Sequence, residues 1–260
     1  MREHGGLFTS DLSVAEFVLA DQAGVKPISQ VMGSSVYHVG WQNMPRGSFG
    51  GFGRSTELQA MTQALNESRQ IALKRMEEEA DRVGANAVVG VRIDRGGYDF
   101  APGLVEFSAL GTAVRVPGLS EGRPAVTNLS GQDFWKLHQA GYWPLGVAAG
   151  STVYYVMGGW QTQMANSFYG SYANMELQDF TAGLYQARNA AMHRLQAQAR
   201  HLGATGVVGV EIEQTHVEQE AGSGGGSRTD MIFTFHALGT AIIESDAEQQ
   251  IPAVSTVLTL

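Results

Sequence analysis

Arg82-Val-Gly-Ala-Asn-Ala-Val-Val-Gly-Val-Arg-Ile-Asp94 recurs as His201-Leu-Gly-Ala-Thr-Gly-Val-Val-Gly-Val-Glu-Ile-Glu213, identical at seven of thirteen positions. Both copies carry the same local signals. A glycine closes a helix in the left-handed conformation, and an apolar, β-branched run follows at once as a buried strand. Outward from this stretch the repetition continues. Val31-Met-Gly-Ser-Ser-Val-Tyr-His-Val39 matches Ala148-Ala-Gly-Ser-Thr-Val-Tyr-Tyr-Val156 at five of nine positions, and Ala109-Leu-Gly-Thr-Ala113 recurs unchanged as residues 237–241. The offset grows from 117 residues to 119 and then to 128 along these three matches, which puts insertions near Met157 to Gly159 and within Glu218 to Arg228. Self-similarity on this scale means two copies of one domain, and 260 residues suit two domains of ~100–150 residues. The expected division is a first repeat over 1–116, a linker over 117–125, a second repeat over 126–244, and a tail over 245–260 whose end alternates like an edge strand.

Within each repeat the order of elements follows from local chemistry. Ser13 with Glu16, and Ser130 with Asp133, read as capping boxes that open a short helix. Gly24 and Gly141 suit its left-handed C-cap. Strands are expected at Val36 to Val39 and Val153 to Val156, followed by glycine- and aromatic-rich loops over Trp41 to Ser55 and Trp160 to Asn174. Ser55 and Asn174 are then candidate N-caps of a long helix. Its apolar stripe is Leu58, Met61, Leu65, Ala72, Met76, Ala80 and Val83, repeated as Leu177, Phe180, Leu184, Ala191, Leu195, Ala199 and Leu202. Gly84 and Gly203 end it. Gly90 is read as a close-packing position inside the following strand. Last come strands over Leu104 to Val114 and Met231 to Ile243. The class is α+β: two tandem copies of a two-layer domain, each with one long helix on a small antiparallel sheet. So small a sheet covers only one face of the helix. The rest of its apolar surface must be buried by the sister repeat or by other chains.

Composition narrows function mainly by exclusion. The net charge of −8 and the lack of a basic tract disfavour nucleic acid and anionic membranes. No apolar run approaches the ~20 residues of a membrane helix, and the first ten residues lack a secretory signal's apolar core, so a cytoplasmic protein is expected. Without cysteine there are no thiolate metal sites or cysteine nucleophiles. Of the seven histidines, His38, His193, His201 and His236 align with Tyr155, Lys74, Arg82 and Ser108. A duplicated metal site would usually repeat its ligands, so no metal is expected. Gly40 to Gly53 lacks a phosphate-loop pattern, and no catalytic triad or paired-carboxylate motif appears. No cofactor and no catalytic residue are assigned. The residues that do repeat are Glu57 with Arg69 and Glu176 with Arg188 on the long helix, and the aromatics Tyr37 and Trp41 with Tyr154 and Trp160. The glutamates and arginines are candidates for a ligand site or, in preference, an inter-domain salt bridge, and the aromatics for core or subunit contacts in preference to a cofactor box.

Gly84-Ala-Asn-Ala-Val-Val-Gly-Val with Gly111-Thr-Ala-Val, and Gly203-Ala-Thr-Gly-Val-Val-Gly-Val with Gly239-Thr-Ala-Ile, resemble the YbjQ-like heavy-metal-binding domain family. Arg69 and Arg188 correspond to that family's helix arginine. The Gly-Gly-Arg before the family's helix survives loosely as Gly51-Phe-Gly-Arg54, and Ala173 replaces Arg54 in the second copy. The resemblance implies a dodecin-like fold and rings of five domains. The expectation is therefore a non-enzymatic, self-assembling homo-oligomer, a homopentamer built as two stacked five-domain rings. The alternative is a small-ligand or metal-ion binding module.

Overall fold

The computed structural model describes residues 9–22, 24–38, 55–97, 104–117, 123–165, 174–221 and 228–244. The first repeat supplies α1 (Val14–Gln22), β1 (Lys26–His38), β2 (Thr56–Glu57), α2 (Gln59–Arg82), β3 (Ala87–Gly97) and β4 (Leu104–Arg115). The second supplies β5 (Ala125–Val126), α3 (Gly131–Gln139), β6 (Tyr142–Val156), α4 (Trp160–Ala165), α5 (Gln178–His201), β7 (Gly206–Ala221) and β8 (Arg228–Glu244). The content is α+β, with one 24-residue helix to each sheet.

The short helices start as their capping boxes dictate. Ser13 N donates to Glu16 Oε2 at 2.8 Å and Glu16 N to Ser13 Oγ at 3.3 Å. Asp133 N donates to Ser130 Oγ at 3.1 Å. The cap glycines Gly24, Gly84, Gly141 and Gly203 all hold positive φ. The first strand of each repeat is much longer than its apolar end suggests, beginning two residues after Gly24 and directly after Gly141. Gly33 and Gly150 lie within these strands because a helix backbone crosses there. A Cβ on either would come within 2.1 Å of the carbonyl oxygen of Ala72 or Ala191.

The sheets run β1-β4-β3-β5 and β2-β6-β8-β7. Each therefore contains a two-residue strand lent by the other repeat, which changes two expectations. The first sheet is mixed rather than antiparallel, since β5 pairs parallel with β3. The long helices are also not capped by Ser55 and Asn174. Leu58 and Leu177 stand at their N-caps without a side-chain cap, and Ser55 Oγ instead accepts from Met157 N of the second repeat at 3.0 Å. Part of the expected Trp160 to Asn174 loop is helical as α4, and Ala125, placed in the linker, belongs to β5.

Gly90 differs from expectation too, and Gly209 of the second repeat shares its conformation. They hold φ of 64° and 60° at bulges where the β3–β4 and β7–β8 registers slip. No atom would crowd a Cβ on Gly90, so backbone conformation and not packing requires glycine there. The bulge turns two N–H groups outward: Gly90 N donates to Leu129 O at 2.8 Å and Val91 N to Thr127 O at 3.0 Å, both in the second repeat.

The largest core is continuous across the repeats. Leu65, Ala72, Leu73, Met76 and Ala80 of α2 pack on Val31, Val88, Val91, Phe107 and Ala109, and the same cluster takes in Val126, Val147, Val153, Tyr155 and Ile232. The surplus face of α2 is thus buried by the sister repeat. Val83, counted in the stripe, lies outside it and is exposed.

Candidate functional site between the two repeats

The lead-in and first turns of α2 dock on the free side of β6. Thr56 and Glu57 pair with Tyr155 and Tyr154. Leu58 N donates to Val153 O at 2.9 Å, and Val153 N donates to Thr62 Oγ1 at 2.9 Å. One turn on, Asn66 closes a two-bond ring with Ser151: its Nδ2 donates to Ser151 O at 3.0 Å, and Ser151 N donates to its Oδ1 at 3.0 Å. A side chain thereby continues the edge pairing where the strand has become a helix.

Arg69 completes this contact. It is 3% exposed. Its Nη2 donates to Asn66 Oδ1 at 2.8 Å, its Nη1 donates to Ser151 Oγ, and its Nε has no protein partner. Burial lowers its pKa to about 10, so it stays a cation at neutral pH, bonded to neutral acceptors. Ser151 Oγ also lies 2.8 Å from His236 Nδ1, and Arg95 Nη1 donates to His236 Nε2 at 3.0 Å. Since Nε2 accepts, the neutral ring carries its proton on Nδ1 and gives it to Ser151. Burial, and then the charges of Arg95 and Arg69, hold the His236 pKa at about 3. Phe107 meets the ring edge-on at 5.8 Å. A cavity of about 200 Å³ adjoins, lined by Arg69, Arg95, Phe107, Glu211, Glu213 and His236 among others.

A Ser–His contact invites a catalytic reading, which the chemistry opposes. A general base works best with a pKa near the working pH, and His236 is far below it. Ser151 is fully buried and already accepts from Arg69. This cluster is a polar clasp within an interface.

Three of the eight repeated candidates, Glu57, Arg69 and Tyr154, lie on this interface, and Glu57 and Arg69 are not paired with one another there. Glu57 bonds Arg194 of the other repeat at 2.6 Å, while Arg69 holds Ser151. Glu176 and Arg188 are exposed. Tyr37 donates to Glu67 at 2.8 Å, which raises the tyrosine pKa. Tyr154 sits half-buried opposite Glu57. Trp160 is exposed at the start of α4, and Trp41 lies outside the described residues. Ser151, Asn66 and His236 were not selected from sequence. The one available signal for Ser151 was its place in the repeated Gly-Ser of Gly33-Ser34 and Gly150-Ser151.

A second buried cluster braces the far end of β6. Tyr155 donates to Asp230 at 2.5 Å, and Asp230 is paired with Arg228 Nε at 2.7 Å. Burial and then Asp230 push the tyrosine pKa up to about 12. Among the described residues no three His, Asp or Glu side chains gather as a metal site, and no helix is long and apolar enough to cross a membrane.

The contact is one-sided. Residues 55–69 of the first repeat dock on β6, but the matching residues 174–188 do not dock on β1. Residues 125–129 of the second repeat dock on β3, while among the described residues β8 is the one strand paired with β7, whose Gly209 O accepts only a side-chain bond from Asn128 Nδ2. Among those residues the chain thus has two open sheet edges, β1 and β7.

Comparison with known proteins follows the duplication. The model of the family described as "Putative heavy-metal-binding" matches twice, over residues 27–117 and 145–244. An encapsulin nanocompartment protein of Mycobacterium tuberculosis is 42% identical over 213 residues, which cover 79% of this chain and 77% of that protein. A UPF0145 protein of Fervidobacterium nodosum is 46% identical over 65 residues, 25% of this chain and 58% of the relative. One from Methanococcus vannielii is 48% identical over 58 residues, 22% of this chain and 53% of the relative. With both repeats matched over most of their length, the chain belongs to the YbjQ family as a tandem of two copies.

Proposed function

We propose that this is a non-enzymatic, self-assembling cytoplasmic protein whose chains join head to tail into a closed ring. The one-sided contact between the repeats carries this reading. Two different surfaces meet in it, and such a heterologous contact, repeated, gives either a closed ring or an open filament. A chain with both open halves of that contact at its ends is built to repeat it. The relative named as an encapsulin nanocompartment protein supports self-assembly. The dodecin-like, five-domain ring implied by the family resemblance would give a homopentamer as two stacked rings; a single ring of consecutive pairs carries no such number.

Five chains bring ten domains, as two stacked five-domain rings or as one ring of consecutive pairs. The side-by-side strand exchange favours consecutive pairs. A head-to-tail contact placed between stacked rings would leave both outer faces open to further stacking. Light scattering on the purified full chain tests the proposal: a defined multiple of 27.9 kDa is expected, and a clean single chain at micromolar concentration overturns it.

A second reading, a small-ligand or metal-ion binding module, draws on the family description and on a cleft of about 640 Å³ between α2 and the second repeat, lined by Leu73, Trp143, Pro144, Val147, Gln198 and Leu202 among others. Native mass spectrometry with metal analysis separates the two readings.

A further inference from the structure

We infer that the second repeat of one chain docks on the open β1 edge of a second copy through the lead-in and first turns of α5, with Glu176 pairing with Arg75 of that copy. The inference rests on the self-assembly proposed above and specifies its contact residue by residue.

The internal contact provides the template. On its donating side stand Glu57, Leu58, Thr62 and Arg69, and the repeat places Glu176, Leu177, Thr181 and Arg188 at the same positions. On its accepting side stand Ser151, Val153 and Arg194, matched by Ser34, Val36 and Arg75. All seven positions are identical between the repeats, so these hydrogen-bonding and charged groups are present on both sides of the second contact as well.

Exposure changes in the sense an unmet contact requires. Val153 is 1% exposed and Val36 is 55% exposed. Arg69 is buried, whereas Arg188 is exposed, and Tyr185 at the place of Asn66 is 59% exposed. Among the described residues β1 has β4 on one side only, so this part of its outer backbone lies on an open edge. By correspondence with the internal contact, Leu177 N would donate to Val36 O and Val36 N to Thr181 Oγ1. Arg188 would meet Ser34, and Glu176 would meet Arg75. Tyr185 cannot reproduce the two bonds of Asn66, but Arg75 Nη1 already donates to Ser34 O of its own chain at 2.6 Å, so that carbonyl has its partner.

The far side of the contact is less well matched. Val126 and Val147, which enter the first repeat's core, correspond to Thr9 and Gln30. These would face the groove of about 310 Å³ lined by Met192, Ala199, Val207 and Val210 among others. Less apolar surface is buried there, so the contact between chains is the weaker of the two and depends more on its ion pair and edge bonds.

The test compares the wild-type chain with Glu176→Arg, Arg75→Glu and the doubly substituted chain by sedimentation velocity, with circular dichroism as the folding check. Both positions are exposed, so the fold should survive. Each single reversal sets like charges face to face and should weaken association ~100-fold or more, giving single chains of 27.9 kDa. The double reversal should restore most of the association, less the Arg75 bond to Ser34 O that it also removes. The two single variants mixed in equal amounts should also associate, because the α5 end of each then meets a β1 edge of opposite charge, and a closed ring of alternating variants then holds an even number of chains. Val36→Asp, which buries a carboxylate at the centre of the contact, should abolish assembly independently. An assembly left intact by both reversals and by Val36→Asp overturns the inference while leaving self-assembly standing. A wild-type chain that is itself single overturns the self-assembly proposal instead.

Discussion

Replacing His236 by glutamine should flatten the acid limb of the stability curve. His236 lies between Arg95 on β3 and Ser151 on β6, with the Arg69 guanidinium of α2 behind Ser151. Asp94, Glu211 and Glu213 line the same cavity from its exposed side. Burial and the two guanidinium groups hold the imidazole pKa at about 3, whereas the unfolded chain's histidine titrates at ~6.5. Between those values the unfolded state takes up a proton that the folded state refuses. Stability is therefore lost as the pH falls below ~6.5, and the loss levels off near the folded pKa, with no contribution above ~6.5. The limiting slope is ~1.4 kcal/mol per pH unit, so two units within the window remove ~2.7 kcal/mol. That is a large share of the ~5–15 kcal/mol that holds a typical domain together. Glutamine carries no titrating proton, and its Oε1 can still accept from Arg95. Urea unfolding of both proteins at one concentration and a series of pH values measures the difference. The wild type should lose stability more steeply than His236→Gln between about pH 6 and 4. Parallel profiles would mean that His236 titrates alike in both states, contrary to its setting between two arginines.

Other substitutions separate the packing from the polar clasp. Gly33→Ala drives a methyl group against the Ala72 carbonyl and the Met76 amide, so α2 must shift from β1, at a cost of ~1–3 kcal/mol in urea unfolding. Asn66→Ala leaves a backbone N–H and C=O of Ser151 without their cross-repeat partner and should cost ~1–3 kcal/mol. Glu57→Ala removes only a half-exposed ion pair to Arg194 and should cost at most ~1 kcal/mol, so the order of these two variants is itself a check. Elemental analysis of untagged protein should find no stoichiometric zinc or copper; about one metal per chain, lost on His38 or His236 substitution, would contradict this.

What could be read from sequence depended on how local its cause was. The capping boxes at Ser13 and Ser130 and the left-handed caps at Gly84 and Gly203 are written within a few residues, and the structure holds them where the sequence put them. The length of β1 was hidden because Pro27 and Gly33 interrupt its pattern, and Gly33 is explained only by a helix arriving from 39 residues further on. Ser55 has the chemistry of a helix cap, but its segment is claimed as a strand by the other repeat, a competition that no local pattern records. Arg69 was visible because it recurs at Arg188. Its partner Ser151 was not, since it comes from another element 82 residues away, and His236, which bonds Ser151 in turn, has no histidine counterpart in the first repeat.

If the contact that joins the two repeats also joins the chains, the arrangement of domains in the native assembly must display it. Electron microscopy of the purified full chain reads that arrangement in its class averages. One closed ring of consecutive pairs is expected, with an even number of domain-sized lobes around its circumference. Two stacked rings of five domains, an open filament, or isolated chains would contradict it.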